Sequence, residues 1–225
     1  MSTYPEDERT IGKIIDNAKI YQKFDQDVAA RKAYSAFHTK PPEGATLEMV
    51  FFARMQEGEI IRKTENKYKL DKHWTTILNQ FKKLKPEQMT PLLETFKAQI
   101  LFEKAQQEAQ KYLDVQISGP KGGSTSQRAI DKALKSQLKA KQDGLKTTVE
   151  KYTEVVNMNG GEWKLAAVVE IGKSFDNYAE TIINSYIPVY LSEDQSEMYQ
   201  MNLEDRSYQY QQQAIGYYQK VLEVS

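Results

Sequence analysis

Apolar residues in this chain recur at steps of three, four and seven, which lays one stripe along an α-helix, and no stretch sustains the alternation a half-buried strand needs. Ile11, Ile14, Ala18, Tyr21 and Val28 make the first stripe, with Asp7 in the first turn, where a carboxylate suits the positive helix end. The chain turns at Pro41-Pro42. A second helix starts after Thr46 as N-cap and sends Leu47, Val50 and Phe51 inward, and Gly58 is expected to break or bend it. A short helical segment carries Trp74, Ile77, Leu78 and Phe81. A long pattern then runs from about Pro86 to Val115 through Met89, Leu93, Phe96, Ile100, Leu101, Ala105, Ala109 and Tyr112, with a loose start at Pro91. Ile130, Leu134, Leu138, Leu145, Val149, Tyr152 and Val156 hold one face, and Trp163, Ala167, Ile171, Phe175, Tyr178 and Ile182 hold the next. Tyr199, Leu203, Tyr210, Ala214, Tyr217 and Val221 hold the last.

Glycine and proline cluster between these patterns, at Pro41–Gly44, Ser118–Ser124, Asn157–Gly161 and Ile187-Pro188. Long helices joined by short loops pack antiparallel. The expectation is therefore an all-α fold of stacked antiparallel helical hairpins, an α-solenoid with long helices. The glycine-rich loop divides it into an N-terminal array over 1–117 and C-terminal hairpins over 124–225, or it joins the two in one continuous solenoid.

Composition narrows the function. Lys+Arg and Asp+Glu are both 31, and a chain without basic excess is a poor nucleic-acid binder. The charge is segregated: Lys121, Arg128, Lys132, Lys135, Lys139, Lys141, Lys146 and Lys151 form a basic stretch, and Glu193 to Asp205 is acidic. Both read as solvated helix faces. Cysteine is absent, which excludes disulfides, thiolate metal sites and cysteine nucleophiles. Apolar runs are too short for a transmembrane helix, and the polar start from Met1 to Glu8 is unlike a signal peptide. That start fits a cytoplasmic chain, or a piece whose targeting segment lies upstream.

Several helix ends look alike. Ala109…Tyr112…Val115, Val149…Tyr152…Val155 and Ala214…Tyr217…Val221 each place a small or apolar residue three before a tyrosine and another apolar residue three or four after it; Ala30…Ala33-Tyr34…Phe37 is a weaker instance. From Glu150 to Tyr178, a tyrosine helix, an Asn-Gly-Gly turn and Trp163…Ile171-Gly172…Phe175 follow one another. This resembles the junction between two tetratricopeptide repeats, with Gly172 allowing close approach and Phe175 filling the groove beside it. The spacing departs from the regular repeat, with Tyr112 and Tyr152 standing 40 residues apart. The block from Trp163 through Tyr178, Ile187-Pro188, Tyr199, Leu203 and Ala214 resembles tetratricopeptide-like envelope proteins of gliding and predatory deltaproteobacteria. That resemblance implies a periplasmic setting in a motility-like assembly.

Candidate chemistry is sparse. His38 and His73 lack the spacing of a metal pair and read as surface or helix-capping residues. Gly119 to Ser126 is not a phosphate loop, because Lys121 precedes the Gly122-Gly123 pair and no strand leads into it; it reads as a flexible linker with Ser126 as N-cap. The 14 tyrosines are the unusual item. Tyr210 and Tyr217 belong to the core, whereas Tyr186, Tyr190 and Tyr208 are candidates for a partner-binding surface. The sequence thus points to a non-catalytic protein–protein interaction scaffold with no cofactor and no metal. Its partner is a protein, without nucleic acid or membrane insertion, and self-association as a structural spacer is the alternative.

Overall fold

A computed structural model describes residues 8–223, with side chains from Ile11 onward. Asp7 and the rest of the acidic start lie outside the described residues. The described chain is all-helical: α1 (Glu8–Lys23), α2 (Asp27–Thr39), α3 (Leu47–Thr64), α4 (Lys67–Phe81), α5 (Pro91–Leu113), α6 (Gln127–Val156), α7 (Glu162–Ile183) and α8 (Glu193–Leu222), with one 3-10 turn at Pro86–Gln88. There is no strand among the described residues.

Two compact units part inside α5, Met1–Ile100 and Leu101–Ser225. The sequence suggested a division at the glycine-rich loop, but that loop lies within the second unit and is tied down there. The Gln137 side chain donates to Gly119 O and accepts from Gly119 N–H, the Tyr186 N–H donates to Ile117 O, and the Tyr186 ring lies against Gly119.

In the first unit, consecutive helices run antiparallel. Arg31 reaches Glu65 while His38 reaches Glu57, so α2 and α3 run in opposite directions. Phe51 meets Phe81 and Gly58 meets Trp74, which does the same for α3 and α4. Ile11, Ile15, Tyr34, Phe37 and Ile60 fill one core, and Phe51, Trp74, Ile77, Leu93 and Ile100 fill another. The second unit repeats the arrangement. Phe102 packs on Tyr152 and Tyr112 packs beside Gly144, and then Gly172 meets Tyr218 while Tyr178 meets Tyr210. Phe175 stacks on Tyr217 with ring centroids 5.6 Å apart, so Gly172 and Phe175 act as the sequence indicated.

Local chemistry sets the helix ends. The Thr46 hydroxyl accepts from Met49 N–H as expected, and Asn66 and Ser192 cap α4 and α8 in the same way. Ser126 stands at the N-cap of α6 without a side-chain cap bond. Other expectations give way to tertiary structure. The first stripe is broken by Asp25, whose φ of 56° closes α1, so Val28 starts a new helix and is 86% exposed. Leu47 opens α3 and stays exposed, while Phe51, one turn further on, is buried. The long fifth helix begins at Pro91 rather than Pro86, with the Thr90 hydroxyl accepting from Leu93 N–H. Gly58 neither ends nor breaks α3, which runs on to Thr64; it makes room for the indole of Trp74.

Candidate functional site

Both histidines turn inward, contrary to the surface reading. In the first unit, His38 Nε2–H donates to Glu57 Oε2 at 2.6 Å, and Arg31 Nε donates to the other oxygen of Glu57 at 3.3 Å. Arg31 also bonds Glu65, which pairs with Lys69 one turn into α4. His73 Nε2–H donates to Arg54 O at 2.9 Å. Three helices, α2, α3 and α4, therefore meet around a carboxylate that is 7% exposed. Burial pushes the Glu57 carboxyl up, but His38, His73 and Arg31 outweigh it and hold it below the ordinary carboxylate range. Burial likewise holds His73 below the ordinary imidazole value.

This cluster borders an open groove of about 880 Å³ between α2 and the α3–α4 corner. Its charges, Arg31, Lys32 and Lys69 against Asp27, Glu57 and Glu65, balance in sign. A general base works best with a pKa near neutrality, and Glu57 is shifted the opposite way. The network is built to hold helices in register. Replacing His38 with leucine leaves the buried Oε2 of Glu57 without its donor, with Arg31 still on Oε1, and is expected to lower unfolding stability by about 2 kcal/mol in urea titration.

In the second unit the unforeseen residue is Lys141. The basic stretch read as a solvated face, yet Lys141 is fully buried. Its Nζ donates to Asn177 Oδ1 at 2.7 Å and to Tyr112 O at 3.1 Å, and lies 4.2 Å from the centroid of the Tyr112 ring. Burial pulls its pKa down to about 8, opposed by the more distant charges of Asp114 and Glu180. The signal was in the register: Lys141 precedes the buried Leu145, Thr148 and Tyr152 by four, seven and eleven residues, so it sits on the core stripe of α6. Tyr112 is equally committed, since its hydroxyl donates to Ser174 O at 2.7 Å.

The three tyrosines proposed for partner binding separate. Tyr186 is half-buried against Gly119 and closes the loop. Tyr190 is 38% exposed and its hydroxyl donates to Asp131 Oδ1 at 2.5 Å, tying the α7–α8 connection to the N-terminal part of α6. Tyr208 is 60% exposed on α8. It belongs to a second apolar stripe. Leu203, Tyr210, Ala214 and Tyr217 turn toward α7, while Met201, Tyr208, Ile215 and Leu222 repeat every seven residues on the far side, exposed by 65, 60, 44 and 77%. Met198, 64% exposed, extends this stripe by one turn.

No group of three or more His, Asp or Glu side chains suited to a metal ion occurs among the described residues. No described helix is long and apolar enough to cross a membrane. Fold and surface together define an all-helical protein of sequentially packed helices. In comparisons with known proteins, no family model, no curated protein and no solved structure matches the chain.

Proposed function

We propose that this chain is a non-catalytic protein-interaction scaffold that docks a helical segment along the outer face of α8. The observation that carries this reading is the seven-residue stripe of Met201, Tyr208, Ile215 and Leu222, large apolar side chains standing in solvent with no helix covering them among the described residues. Residues seven apart lie on one side of a helix, so the four side chains share the outer face of α8. Large apolar side chains gathered in solvent on one face of a folded protein mark an interaction surface. Tyrosine at its centre suits such a surface, being large and stiff with a wet hydroxyl.

A photo-crosslinking amino acid at position 208, expressed in native cells, is expected to trap a protein adduct, while the same group at Lys139 on the polar face of α6 traps none. An absence of adducts at positions 201, 208 and 215 alike would sink the proposal. The resemblance of the Trp163–Phe175 stretch to tetratricopeptide-like envelope proteins supports a periplasmic, motility-like setting. Enrichment of envelope proteins in captures from the periplasmic fraction, and not from the cytoplasmic one, is the outcome expected.

A further inference from the structure

Resting on the proposed use of the α8 face, we infer that its occupant is a second copy of the same helix, paired antiparallel about a two-fold axis near Gln211-Gln212. Three observations point there. The first is the spacing. Met201, Tyr208, Ile215 and Leu222 are symmetric about that point, so antiparallel pairing sets Met201 against Leu222 and Tyr208 against Ile215 of the other copy.

The second is charge. The half of α8 before Tyr208 carries Glu193, Asp194, Glu197, Glu204 and Asp205, whereas the half beyond it presents Gln211, Gln212 and Gln219 beside the stripe. Parallel pairing would set Glu197, Glu204 and Asp205 against themselves. Antiparallel pairing in this register instead brings Glu204 and Asp205 beside Gln219 of the other copy, where an amide donates to a carboxylate.

The third is Gly216. Three other helical glycines, Gly58, Gly144 and Gly172, each seat an aromatic ring of their own chain, from Trp74, Tyr112 and Tyr218, whereas Gly12 in α1 has nothing against it. A methyl at Gly216 meets nothing within 4 Å. Glycine is a poor helix residue, and among the described residues no neighbour fills the space at that position. It stands beside Ile215 at the edge of the stripe, where the antiparallel partner brings Tyr208. The two Gly216–Tyr208 contacts would then repeat the glycine–ring seat this chain already uses.

The absence of cysteine allows a clean test by oxidative crosslinking of the full chain. Met201→Cys mixed with Leu222→Cys is expected to give a disulfide-linked dimer, Gln212→Cys alone is expected to crosslink to itself, and Met201→Cys alone is not. Sedimentation equilibrium of the unmodified chain is expected to show a monomer–dimer equilibrium. Gly216→Leu is expected to weaken it at least tenfold without lowering the denaturation midpoint measured below the dimer range. Self-crosslinking of Met201→Cys would overturn the antiparallel register. A strict monomer at all concentrations overturns the inference altogether. If position 208 still captures another protein in cells, the scaffold reading survives that failure; if it captures nothing, both fall together.

Discussion

Replacing Gly58 with alanine is expected to destabilise the first unit by about 2–3 kcal/mol, although alanine is the better helix former by about 1 kcal/mol. A β-carbon built at Gly58 would stand 2.0 Å from one indole carbon of Trp74 and 2.4 Å from another. Trp74 is fully buried among Phe51, Met55, Ile77 and Phe81, so the ring cannot retreat without displacing a close-packed core. The check is urea unfolding followed by tryptophan fluorescence and by circular dichroism. Trp74→Phe alone is expected to cost about 1–3 kcal/mol through the space it leaves. The double variant Gly58→Ala with Trp74→Phe is expected to be more stable than the sum of the two changes, because the smaller ring gives the methyl room. Simple additivity would show that the glycine serves something other than the indole.

The second large effect concerns pH. Lys141 in the folded chain has its pKa pulled to about 8, below the ordinary lysine value of 10.5. Between those two values the unfolded chain holds a proton that the folded chain has released, so stability rises with pH across that window. Compared with Lys141→Met, the unmodified protein is expected to gain about 2–3 kcal/mol of unfolding free energy between pH 7 and pH 10. Measurements should stop near pH 10. Burial pushes Tyr34 and Tyr178 to about 12, and groups raised in this way begin to lose their stabilising contribution once the unfolded tyrosines ionise. Taking the difference between protein and variant removes that shared contribution. A flat difference across the window would show that Asn177 and the Tyr112 carbonyl replace the lost hydration of the ammonium in full. Near neutral pH the methionine variant trades the burial of a charge against two acceptors left without a donor.

The elements that read well from the sequence are those governed by local rules. The Thr46 cap, the turn before α3, and the partnership of Gly172 with Phe175 depend on residues close in the chain or on a strong period. What failed depended on distance. Val28 falls on the same period as Ile11 and Ala18, but Asp25 takes a left-handed backbone and resets the register. The histidines looked peripheral because neither has a ligand-spaced neighbour, yet His38 finds Glu57 and His73 finds the carbonyl of Arg54, each 19 residues away. Of the candidate tyrosines, Tyr208 alone retains a large free surface at the centre of an apolar stripe. Tyr186 and Tyr190 are engaged in fastening the α7–α8 connection to the loop and helix before it.

By itself the sequence determined that the described chain is helical, that α3 begins after Thr46, and that α8 carries one core stripe through Leu203, Tyr210, Ala214 and Tyr217, because helix period and capping act over a few residues. Only the tertiary structure decided that α8 carries a second apolar stripe left uncovered, that Lys141 is interior, and that Gly58 seats a ring instead of ending a helix. Periodicity reports that a face is covered, but it is silent on what covers it. A buried polar group or a glycine in a helix is tolerated only where a partner from another helix completes its hydrogen bonds or fills its space.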